Sequence, residues 1–180
     1  MAIATLRDLY FDELSGLVDA ERQIVRALLS LAEAAYAREL REVLVRHAEE
    51  SRLHLERLDL IFTHWGEARR SQPSIGLTGI VQESDDRLHA TTTEDVRDAA
   101  VIAAAQRIEH YVLAGYASAR TFARRLNRTD EARLLQETID DERRADRRLT
   151  TIAEAAIDRV DDVFVELSAP ALPPDPVAPR

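Results

Sequence analysis

The stretch His47-Ala48-Glu49-Glu50-Ser51-Arg52-Leu53-His54 lies between "LREVLV" and "LERLDLIF". Both flanks carry apolar residues at helical spacing. His47, Glu50 and His54 therefore interrupt an apolar helical face with groups that bind protons or metals. Either the face opens to solvent at this point, or the protein holds something charged inside and these residues hold it. The choice depends on what the rest of the chain brings to the same level.

Working outward, the apolar positions Leu40, Val43, Leu44, Leu58 and Ile61 recur every three or four residues and predict a helix, B, from about Arg38 to His64. Upstream, Leu6, Leu9, Leu14, Leu17, Ile24 and Leu28 predict a long amphipathic helix A over Leu6 to about Ala35. The join at Ala34–Ala37 is short, so A and B should pack antiparallel. Gly66 ends B. The segment that follows, "EARRSQPSIGLTGIVQESDDRLHATTTED", is long enough to cross from one end of a bundle to the other. Ile80, Val81 and Leu88 predict a short extra helix within it. Thr92 and Thr93 before Glu94 and Asp95 mark the start of helix C, with hydroxyls capping free N–H groups, and C runs to about Leu126. Thr129 is the expected N-cap of helix D, which ends near Ala156 or extends toward Leu167. The expected architecture is all-α, a four-helix bundle with one long crossover between B and C. Residues 1–167 form its single domain, and the Pro-rich segment 168–180 is expected to be a disordered tail.

Composition agrees. The 180 residues are 46% hydrophobic and 32% charged, with only 5 Gly and 6 Pro, as expected of one helical domain with a real core. No cysteine is present, which excludes disulfides and thiolate sites and leaves His, Asp and Glu as metal ligands. A net charge of −9 argues against nonspecific binding to nucleic acid. The N-terminal residues hold no apolar run suited to a signal peptide or membrane span, so a cytoplasmic location is expected.

On a helical wheel each of the four long helices places an acid on its apolar stripe, near its middle: Glu21 in A, Glu50 in B, Glu109 in C and Glu142 in D. Helix B adds His54 one turn after its acid, and helix D adds Asp146. Singly, each is more often a snorkelling or interface residue. Together, four carboxylates in a low-dielectric core would repel and lose hydration unless cations compensated them. Two divalent ions would do so. The di-iron arrangement of four-helix bundles takes one Glu from each of two helices and a Glu–His pair from each of the others. Glu21 and Glu109 suit the first role; Glu50/His54 and Glu142/Asp146 suit the second. His47 reads as a structural neighbour of this site, and His64, His89, His110 and Glu49 as residues outside it.

The phrases "LRDLYFDELSGLVDAERQIVRAL", "RHAEESRLHLERLDLIF", "DAAVIAAAQRIEHYVLAGYASAR" and "LLQETIDDERRADRRLTTIAE" resemble the YciE/YciF family of ferritin-like bacterial proteins across roughly residues 4–155. The resemblance implies a ferritin-like bundle, a dinuclear metal centre, a dimer and a link to bacterial stress. It carries the family's acids onto Glu21, Glu50, Glu109, Glu142 and Asp146, with His54 at a position where members have a polar residue. Two departures stand out. Both pairs have i,i+4 spacing where the general motif has i,i+3, and Val112 stands where many relatives have an acid.

The expected cofactor is therefore two divalent ions, iron first, with manganese or zinc open. The position near Glu50 and His54 is expected to bind more tightly than that near Glu142 and Asp146. Two functions are expected to compete: a metal-binding protein that oxidises Fe(II) with O2 or peroxide, and a non-catalytic stress or interaction protein whose site is structural or vacant. Oxidation of an organic substrate is a weaker third. Partners are metal ions and, from the apolar residues Leu6, Tyr10, Leu17, Ile75, Leu77 and Ile80, a second copy of the chain.

Overall fold

A computed structural model describes residues 3–167, and the side chains of residues 3–155. Five helices follow one another: α1 (Leu6–Ala34), α2 (Arg38–His64), α3 (Ile75–Ala90), α4 (Glu94–Arg125) and α5 (Thr129–Leu167). Helices α1, α2, α4 and α5 form the bundle, with α1 against α2, α4 against α5, α1 against α4 and α2 against α5. Helix α3, carried by the crossover, lies on α4 and touches α1. This is the ferritin-like arrangement expected from the sequence. Among the described residues, no helix is long and apolar enough to cross a membrane. The expectation for segment 168–180 falls outside the described residues.

Local chemistry sets the helix ends. Thr5 and Asp8 form a reciprocal capping box at the start of α1: the Thr5 hydroxyl accepts from Asp8 N–H at 3.1 Å, and the Asp8 carboxylate accepts from Thr5 N–H at 2.9 Å. The α1–α2 join is tied from a third helix. Asp98 of α4 accepts from the backbone N–H groups of Tyr36 and Ala37 at 2.7 and 2.8 Å. After α2 the chain turns at Gly66 with φ of 66°, a conformation that glycine adopts without strain. Thr93 stands at the N-cap of α4 as expected, but its side chain makes no cap hydrogen bond. Acidic residues Glu94 and Asp95 supply the favourable first-turn charge instead.

The crossover is pinned rather than loosely draped. Gln72 N–H donates to Ser15 O at 3.0 Å, and Asp19 accepts from Ser74 N–H at 2.8 Å. Gly76 sits so close to α4 that a Cβ there would lie 2.9 Å from the ring of Tyr111. At one end of the bundle the buried Glu131 carboxylate accepts from Tyr10, Trp65 and Arg128 at 3.1, 2.8 and 2.7 Å. Arg128 also stacks on Trp65 at 4.4 Å. Of the apolar residues read as a surplus for a second copy, Tyr10, Leu17 and Leu77 are buried within the chain, whereas Leu6 and Ile75 are exposed.

Between these ends the core is filled by Leu14, Ile24, Leu28, Leu44, Leu58 and Ile108, among others. Ala104, Ala105, Ala119 and Ala123 give α4 a small-residue surface where neighbouring helices approach closely. Halfway along, this apolar filling is replaced by charge.

Candidate metal centre

At mid-bundle, Glu21 from α1, His47 and His54 from α2, Glu109 from α4 and Glu142 from α5 are all buried, the carboxylates completely. Glu142 is central. Its Oε2 lies 3.1 Å from His47 Nε2, and its Oε1 lies 3.2 Å from His54 Nδ1. The same His54 nitrogen is 3.2 Å from Glu21 Oε1. On the other side of Glu142, His47 Nδ1 is 3.0 Å from Glu109 Oε1, but out of line for a hydrogen bond. Two groups thus share Glu142: Glu21 with His54, and Glu109 with His47. Glu21, His54 and Glu142 each offer one ligand atom, all within 4.8 Å of one another.

A ring of further side chains holds this set. Tyr116 donates its phenol O–H to Glu21 Oε1 at 2.6 Å. Asp141 Oδ2 stands 3.6 Å from His54 Nε2, too far for a hydrogen bond. Asp141 is held in turn by Arg57 at 2.5 Å and by Arg144.

Many of the central atoms lack a hydrogen-bond partner. Glu21 Oε2, both oxygens of Glu109, Glu142 Oε1, His47 Nδ1 and His54 Nε2 are buried with none. The large majority of buried side-chain polar atoms have a hydrogen-bond partner, so such a concentration at one level is abnormal. Carboxylate oxygens only accept, and what they lack here is a donor or a cation. Divalent ions meet that need, and a donor set of carboxylate oxygens with two imidazoles suits iron, manganese and zinc. The residues present fit such a group.

The electrostatics describe the metal-free alternative. Burial works against a charged His47, but the Glu142 and Glu109 carboxylates overcome it and raise the imidazole to about 10. His54 is likewise held well above its ordinary value, against burial, by Glu21, Asp141 and Glu142. Burial raises Glu109 to about 7, partly offset by His47. Glu142 moves down instead, because the two histidines outweigh its burial. Three carboxylates against two imidazolium ions leave one negative charge, and a proton on Glu109 cancels it. Without metal, protons balance the site.

Of the residues expected from the sequence, Glu21, His54, Glu109 and Glu142 come together. Glu50 and Asp146 do not join them. Glu50 Oε1 turns to Arg148 at 3.3 Å, although its Oε2 is buried without a partner. Asp146 faces α4, where it lies 3.3 Å from Gln106 and 3.4 Å from His110. His47, read as a neighbour of the site, instead touches two of its carboxylates. The signal for it was present: His47 precedes His54 by seven residues, two helical turns, and so shares its face, whereas Glu50 sits roughly 60° round from His47. The positions that the i,i+3 motif would fill are Ser51 before His54, Ala145 after Glu142 and Val112 after Glu109, all buried. The sequence thus departs from the general di-iron pattern there and adds His47.

The chain matches the family described as domain of unknown function (DUF892) over residues 5–160. It is 34% identical to the protein YciF of Escherichia coli strain K12 over 154 residues, covering 85% of this chain and 93% of that one. Among solved structures it superposes on the E. coli stress protein YciF with a TM-score of 0.83 at 32% identity, covering 87% of this chain and 99% of that one. It is also similar to YcfI from Rhodopseudomonas palustris, with a TM-score of 0.81 at 33% identity over 83% of this chain and 95% of that one.

Proposed function

This chain belongs to the YciE/YciF family of DUF892 proteins, and from that premise we propose that its bundle centre binds two divalent metal ions on either side of Glu142. Glu21, His54 and Glu142 would hold the first, their ligand atoms lying within 4.8 Å of one another; Glu109 and one nitrogen of His47 would hold the second. The observation that carries this reading is the set of orphaned carboxylate oxygens facing two imidazoles in a fully buried core. Iron is the first candidate, with manganese and zinc compatible with the same donors. Bound iron would supply electrons for the reduction of O2 or peroxide.

The chain's own residues act as follows. The apolar layers above and below the site exclude water, which strengthens each carboxylate–cation attraction. His47 and His54 hold protons that must leave before their nitrogens can bind a cation, so loading releases protons and strengthens as pH rises. Since the central acids are fully buried, a bulky organic substrate would have to part the helices to reach them. That favours ions and small oxidants as the species handled here, in keeping with a relative named a stress protein.

A second reading has its own support. Protons on His47, His54 and Glu109 balance the cluster without metal, so the site would serve as a buried ion network in a non-catalytic helical protein. A structural role has been suggested for YcfI. Melting curves of chelator-stripped protein with and without Fe(II), Mn(II) or Zn(II), paired with elemental analysis, separate the two. A metal-dependent rise in Tm with bound metal supports the centre; an unchanged curve with none bound supports the network.

A further inference from the structure

We infer that Tyr116 is the positioning residue that turns Glu21 Oε2 outward as a ligand, and so makes the Glu21–His54–Glu142 position the first to fill. This rests on the metal-binding reading above. A glutamate offers two oxygens, and which of them faces an ion depends on what holds the other. Here both local donors converge on Oε1: the Tyr116 phenol at 2.6 Å and His54 Nδ1 at 3.2 Å. Oε2 is left buried with no partner.

Tyr116 has little freedom to release its hold. It is fully buried on α4, two turns beyond Glu109, and its ring meets the His54 ring edge-on at 6.2 Å with an interplanar angle of 74°. One side chain therefore fixes one ligand by a hydrogen bond and limits the rotation of a second by contact. Glu109 contrasts with Glu21, since neither of its oxygens has a hydrogen-bond donor. A ligand held in place before the ion arrives loses less conformational freedom on binding. The two positions therefore differ in preorganisation, although each has one imidazole.

The test is a Co(II) titration of chelator-stripped protein, followed by the visible Co(II) spectrum and by calorimetry, for the wild type and Tyr116→Phe. The variant keeps the ring and removes only the hydroxyl. The wild type should show a tight first equivalent and a weaker second; in the variant the first should weaken by about 10-fold or more, the usual effect of losing an outer hydrogen bond to a ligand, with a changed spectrum and an unaltered second step. An unchanged first step and spectrum, with only the metal-free Tm lowered, would reduce Tyr116 to a packing role and overturn the inference while leaving the metal centre standing. A wild type that takes up no Co(II) would overturn both. Should the variant not fold, a crystal structure of the wild type with Zn(II) decides: the ion on Glu21 Oε2 with Tyr116 still on Oε1 supports the inference, and the ion on Oε1 with the phenol displaced refutes it.

Discussion

Replacing Glu142 with Gln keeps the shape of the side chain and removes the charge that both histidines face. In the metal-free protein below pH 6.5, His47 and His54 are imidazolium ions 3.1 and 3.2 Å from the Glu142 oxygens. Removing one partner of a buried ion pair costs about 3–5 kcal/mol. A domain of this size shifts by about 2–4 °C per kcal/mol, so the expected fall in Tm is roughly 6–20 °C at pH 6. The penalty depends on pH with a definite sign. His47 has a folded-state pKa raised from 6.5 to about 10, so its stabilisation is complete below 6.5 and is lost as pH rises through 10. Glu109, raised from 4.5 to about 7, acts in the same direction, its contribution disappearing as pH rises through 7. Stripped wild-type protein should therefore lose stability from pH 6 to pH 10. Over the same range the difference between wild type and Glu142→Gln should shrink, because by pH 10 His47 is half deprotonated and Glu109 is ionised. Urea unfolding in a chelator across this pH range measures both trends. An equal penalty at pH 6 and pH 10, or none at pH 6, would refute the charge assignment.

Saturating divalent metal at about 100 times its dissociation constant should stabilise the stripped protein by about 2.7 kcal/mol, read as a rise in Tm; no rise at millimolar metal would count against the centre. His54→Ala should abolish the tighter of two binding steps and His47→Ala the weaker, whereas Asp146→Ala should leave both, and calorimetry with each variant checks this order. Glu131→Ala leaves Tyr10, Trp65 and Arg128 without their shared acceptor, and a loss of about 1–3 kcal/mol in urea unfolding is expected with metal binding unchanged. We also propose a homodimer, now resting on the exposed Leu6 and Ile75 and on the α2 stripe of Val45, Leu53 and Leu60; light scattering at micromolar concentration that finds only 20.3 kDa particles would exclude it.

The four long helices were legible because their apolar residues hold a spacing of three or four over many turns, and α1, α2 and α4 end within a residue or two of the expected places. The crossover helix was visible only in part. Its periodic core at Ile80, Val81 and Leu88 marks the middle, but its start at Ile75 depends on anchors from α1, Asp19 and Gln23, which no local pattern shows. The box at Thr5 and Asp8 carries a sequence signature of its own, a hydroxyl residue followed three positions later by an acid. In the site, Glu21, His54, Glu109 and Glu142 stood out because each breaks an apolar stripe at the same level. Glu50 stood out for the same reason, yet its angular offset carries it toward Arg148. The partners of His47 come from α4 and α5, and those of Tyr116 from α1 and α2, so their roles depend on contacts between helices. Periodicity within one helix reports which way a residue faces, not what it meets.

The most direct measurement is anomalous X-ray diffraction from crystals of the protein equilibrated with Fe(II) or Mn(II) at the metal absorption edge. The account predicts two peaks flanking Glu142, the stronger against Glu21 and His54 and the weaker against Glu109 and His47, with Glu50 and Asp146 away from both. A map without peaks, in which His47 and His54 keep their contacts to Glu142 in millimolar metal, would contradict it and leave a proton-balanced ion network at the centre of the bundle.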